Sequence, residues 1–128
     1  MEARVLRHVD RPDGSPPRHG ERFETLVRTA QVHIERIVSS ERPDPVPYCQ
    51  DHDELAVVLR GGARMEVAGH PVRLAAGDAV WLPAGTPHRV LATDRGTVWL
   101  AVHVTPPTHP DEPGDALRET PPGAGPPA

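Results

Sequence analysis

Gly77-Asp78-Ala79-Val80-Trp81-Leu82-Pro83-Ala84-Gly85-Thr86-Pro87-His88 is the stretch on which the reading of this chain turns. A short run with strand character, Ala79 to Leu82, is fenced by two turns, Gly77-Asp78 and Pro83-Ala84-Gly85. An imidazole, His88, follows three residues after Gly85 of the second turn. Upstream lies a second stretch, Glu54-Leu55-Ala56-Val57-Val58-Leu59-Arg60-Gly61. Here a carboxylate heads a run that is apolar from Leu55 to Leu59. A strand with one wet face alternates, so this one is expected to be covered on both sides. Glu54, Ala56 and Val58 share one face, which would line a lumen. Leu55, Val57 and Leu59 share the other, to be covered by the N-terminal segment or by a second copy of the chain.

Working outward, similar runs recur at short spacing: 32–38, 63–67, 71–74, 88–92 and 97–104. Between them fall Gly61-Gly62, Gly69, Gly77-Asp78 and Asp94-Arg95-Gly96. Many short strands with regular turns predict an all-β antiparallel sandwich or barrel. Residues 41–47 hold three prolines and read as a loop. Phe23 to Val27 reads as a short helical turn. Residues 1–21 read as a flexible arm in which Val5, Leu6 and Val9 can dock as an edge strand. The barrel domain is expected over 22–105. From 106 to 128 eight prolines and four acidic residues face one Arg. That composition buries too little apolar surface to offset ordering entropy, so a disordered tail is expected.

The two quoted stretches carry a family resemblance. Gly77, Pro83, Gly85 and His88 have the spacing of the second cupin signature, and Glu54 with Gly61 resembles the back half of the first. The resemblance spans roughly residues 31–104. It is closest to small single-domain cupins of the RmlC-like, cupin 2 conserved-barrel type, with Tyr48-Cys49-Gln50 where others carry a His pair and Trp99-Leu100-Ala101-Val102-His103 as closing strand. It implies a jelly-roll β-barrel that brings Glu54 and His88 together inside. The His-x-His of the first signature falls on Tyr48 and Gln50, and the Asn that often ends the second falls on Ala92. The usual three-His, one-Glu metal set is therefore incomplete.

Composition excludes several function classes. The chain has 128 residues, a net charge of −4, and no Lys among its 14 basic residues. Lys-dependent Schiff-base and phosphate-loop chemistry is excluded, and the charge argues against nucleic acid. The lone Cys49 makes no internal disulfide. No signal peptide or apolar run of about 18 residues is present, so a cytoplasmic protein with no membrane contact is expected.

Glu54 heading an apolar strand needs a cation, a metal or strong hydrogen bonds. Three functions fit. In the first, a divalent metal (Fe, Mn, Ni or Zn) is held by Glu54 and His88, helped by Gln50 or His52, and acts on a small oxygenated substrate. In the second, a metal-free isomerase, epimerase or cyclase uses His88 as base, with Glu54 or Tyr48 relaying the proton. In the third, the pocket binds a metabolite as a sensor without turnover. His103 reaches the lumen only if Trp99, Ala101 and His103 face inward, which the sequence leaves open. His8, His19, His33, His70 and His109 are expected at the surface, and a homodimer is expected.

Overall fold

The computed structural model describes residues 2–106. The expected tail therefore lies, from residue 107 on, outside the described residues. Eight strands follow one another: β1 (Glu21–Arg28), β2 (Val32–Ser39), β3 (Asp53–Arg60), β4 (Gly62–Val67), β5 (His70–Ala75), β6 (Ala79–Leu82), β7 (His88–Thr93) and β8 (Thr97–Val104). Five form one sheet in the order β1-β2-β8-β3-β6, and three form the other in the order β5-β4-β7. Every pairing is antiparallel. The described residues contain no helix, hence none long and apolar enough to cross a membrane.

The alternation of side chains along each strand decides what enters the core. Glu54, Ala56 and Val58 are buried while Leu55, Val57 and Leu59 are only half-buried. The same parity puts Thr97, Trp99 and Ala101 of β8 inside. Trp99 fills the centre together with Ile37, Val58, Met65 and Leu74. Its indole Nε1–H donates to Ser39 Oγ at 3.0 Å, and Ser39 Oγ–H donates to Glu21 Oε2 at 2.6 Å. The buried polar ends are thus joined in a chain rather than left unpaired. Gly61 turns β3 into β4 with φ of 81°, and a Cβ there would stand 2.9 Å from the Thr97 backbone. Only glycine fits that hairpin.

Two expectations are corrected. Phe23 to Val27 belongs to β1, not to a helical turn; its pairing with β2 supplies the hydrogen bonds that a lone turn would lack. Val5, Leu6 and Val9 form no strand. Residues before Glu21 are instead pinned by arginines on the outer side of β1 and β2: Arg22 donates to the Ser15 carbonyl at 2.8 Å, and Arg36 to the His8 carbonyl at 3.3 Å.

Candidate functional site

Backbone bonds between the two motif stretches set the site. Tyr48 and His88 exchange N–H···O bonds of 2.7 and 2.9 Å as an isolated bridge. Gly85 N–H donates to the Gln50 carbonyl at 2.7 Å, and Ala84 N–H to Asp53 Oδ1 at 2.9 Å. Gly85 meets this geometry with φ of 82°, a conformation that glycine adopts without a steric cost. The Pro83–Pro87 turn is thereby tied to the loop ahead of β3, which fixes where β7 starts and where His88 points.

Glu54, His88, Tyr48 and Gln50 all line one cavity of about 100 Å³ between the sheets. His52 does not line it. Its Nε2 lies 2.9 Å from His103 Nδ1 and its Nδ1 lies 3.2 Å from Asp51 Oδ1. His88 is buried, and its Nδ1 sits 2.9 Å from the Thr86 carbonyl. That carbonyl can only accept, so Nδ1 carries the proton and a neutral ring keeps its Nε2 lone pair. The Tyr48 ring stacks on it, with centroids 5.9 Å apart. Glu54 is buried and has no hydrogen-bond donor among the described residues; His103 Nδ1, at 3.8 Å, is its nearest cationic partner.

The rest of the larger sheet's inner face, where Glu54 is the direct register partner of His103, was hidden from motif reading. His103 does face inward and lines the cavity with Glu35 and Glu21. His103 Nε2–H donates to Glu35 Oε2 at 2.7 Å. That hydrogen bond lifts the His103 pKa above its ordinary value despite burial, and the Glu54 charge adds to the rise. Burial raises the Glu21 carboxyl against the Ser39 hydrogen bond, with Asp44, Glu35 and Glu54 adding repulsion. Burial also raises the Tyr48 hydroxyl. His33, expected at the surface, is half-buried, because it shares the inward parity of Glu35 and stands opposite His103 in the β2–β8 register. Burial lowers its pKa. The signal in the sequence was His33-Ile34-Glu35, two ligand-type residues on one face of a strand.

An antiparallel jelly roll with a polar cavity between its sheets, fed by both motif stretches, defines the class. A family model described as "Cupin domain" matches residues 39–103, and the chain belongs to that family. Among solved structures, a Ralstonia eutropha JMP134 protein provisionally assigned as a mannose-6-phosphate isomerase is 34% identical. The match covers 82% of this chain and 100% of that one, with a TM-score of 0.68. An RmlC-like cupin from Shewanella frigidimarina NCIMB 400 is 16% identical over 85% of this chain and 96% of that one, with a TM-score of 0.65. KdgF from Halomonas sp. is 20% identical over 69% of this chain and 82% of that one, with a TM-score of 0.64. No curated protein matches the sequence.

Proposed function

We propose that the cavity takes a small oxygenated metabolite, and that a divalent ion (Fe, Mn, Ni or Zn) held by Glu54, His88 and the Gln50 amide oxygen assists in binding or converting it. One observation carries this reading: a carboxylate whose nearest cationic partner is 3.8 Å away shares a cavity with an imidazole whose other nitrogen is already tied to a backbone carbonyl. A largely enclosed carboxylate with so long a contact is incompletely compensated, and a bound cation would complete its partners. An outer N–H on a carbonyl is how metal-bound histidines are held. When bound, the ion supplies Lewis-acid polarisation of a substrate oxygen. The chain's own side chains do the rest. Tyr48 holds the His88 ring by stacking, and Glu21, whose Oε2 accepts from the Ser39 hydroxyl, lines the cavity beside them.

Charge narrows the substrate class. Glu21, Glu35 and Glu54 line the cavity, and no Arg does among the described residues. With no guanidinium there to pair a phosphate, a neutral hydroxy or carbonyl compound suits this site better than a sugar phosphate, whatever the Ralstonia relative acts on.

The test is the metal content of untagged protein. We expect bound ion in wild type and the loss of one equivalent in His88→Ala and in Glu54→Gln. No ion after incubation with Fe(II), Mn(II), Ni(II) and Zn(II) overturns the metal reading and leaves general-base catalysis by His88, or ligand binding without turnover. We also take the protein to be a cytoplasmic homodimer. The support for a dimer is Trp81, 52% exposed on the outer sheet face opposite Leu55 in register. Trp81→Glu should sediment as a monomer if that face is the contact.

A further inference from the structure

The proposed function leaves the β2–β8 wall unused, yet that wall holds a donor set of its own. His33 and Glu35 are two apart on β2 and so point the same way. His103 is the direct register partner of His33 on β8. Their rings stack with centroids 5.5 Å apart. One ligand atom from each of His33, Glu35 and His103 lies within 4.8 Å of the other two, the one such group among the described residues. We infer that His33, Glu35 and His103 form a second divalent transition-metal site, of the two-histidine, one-carboxylate kind, on the β2–β8 wall.

Three arguments support it. The first is donor chemistry. Two imidazoles and one carboxylate suit Fe(II) or Zn(II) and leave coordination positions open. Glu35 and His103 line the cavity, so those positions would face it. The second is reach. Bonds of about 2.0–2.2 Å require the donors to close in by roughly 1 Å, and His103 and Glu35 already touch at 2.7 Å. The third is outer support. His103 Nδ1 sits against His52, whose other nitrogen sits against Asp51. That chain holds the ring so that Nε2 aims at Glu35. His52 is thus a positioning residue for this wall, not a ligand of Glu54's ion. Two neighbours compete for the His33 ring: Thr25 Oγ1 stands 2.9 Å from its Nε2, and Arg28 NH2 stands 3.2 Å from Nε2 and 3.4 Å from Nδ1. Arg28 lies at the exposed end of β1, and both contacts would have to yield to the ion.

The site shares no ligand with the ion proposed at Glu54 and His88, although Glu54 neighbours His103, so His33 and His88 are the variants that separate the two. Untagged protein is stripped with chelator and titrated with Zn(II) or Co(II), with ions counted by mass spectrometry and Co(II) absorption bands recorded. We expect His33→Ala and His103→Gln each to lose one ion per chain and to weaken the remaining affinity of this site at least tenfold. His88→Ala keeps this ion and its Co(II) spectrum. Arg28→Ala binds severalfold more tightly, because a like charge is removed, an outcome that a purely structural cluster does not give. If His33→Ala and His103→Gln keep the wild-type ion count, the proposal is overturned. Should those variants not fold, anomalous scattering from zinc-soaked wild-type crystals decides: a peak between His33, Glu35 and His103 supports the site, and its absence overturns it.

Discussion

The two walls of the cavity are built in different ways. The wall of Tyr48, Gln50 and His88 is set by turns and local backbone bonds: the Tyr48–His88 bridge, the Gly85–Gln50 bond, and the left-handed Gly85. The wall of His33, Glu35, Glu54 and His103 is set by strand register, with His33 and Glu54 the direct partners of His103 on its two sides. That second wall carries two unlike carboxylates: Glu35 bonds the His103 ring at 2.7 Å, while Glu54 has only a 3.8 Å contact to it. A weakly compensated enclosed charge is poised for a ligand and adds little stability. A satisfied one holds the fold and yields only to a competing cation.

The contrast can be broken most forcefully at the floor both walls share. Trp99→Ala should cost about 3–5 kcal/mol, the range for emptying a buried aromatic site, read from the urea midpoint. A cost below about 1 kcal/mol would mean that Trp99 does not brace the walls. The two carboxylates beside His103 should then differ. Glu35→Gln keeps an acceptor but removes its charge from a charge-assisted hydrogen bond, and should destabilise by about 1–2 kcal/mol. Glu54→Gln removes a charge with only a 3.8 Å partner and should be neutral or stabilising, within about 1 kcal/mol. Equal losses in metal-free protein would erase the distinction drawn here.

The smallest effect is in pH. The Glu35 hydrogen bond raises the His103 pKa from its ordinary 6.5. Its stabilising contribution is complete below that ordinary value and fades as pH rises through the raised one. Metal-free wild type should therefore lose stability with rising pH above 6.5. Glu35→Gln should show a shallower slope over the same window. An unchanged slope in the variant would place the titration elsewhere.

How much of this was legible in the sequence follows the same division. The barrel and its lumen parity could be read from the apolar run Leu55–Leu59 and the turn glycines, since strand alternation is a local property. Glu54 and His88 could be placed in one interior through the resemblance of their two stretches to the cupin signatures, which the turn ahead of His88 carries. His52 could not be placed. It shares the parity of Glu54, but it sits ahead of the strand, where parity no longer dictates direction, and it bonds His103. His33 was misread for a related reason. His33-x-Glu35 becomes a ligand pattern only when β2 is known to lie beside β8, and register between distant strands is not written in either strand alone. Phe23 to Val27 shows the same limit in secondary structure: the segment has little strand character until β2 offers its edge.

Five strands stand against three, and the bridge at Tyr48 lengthens the smaller sheet by a single residue. The larger sheet therefore overhangs, with Phe23 as an uncovered apolar sill beside the acidic interior. A barrel left ajar on this side needs no hinge to admit a guest. Its tolerance for guest size can drift through changes in the overhang alone, while the hydrogen-bonded frame stays as it is.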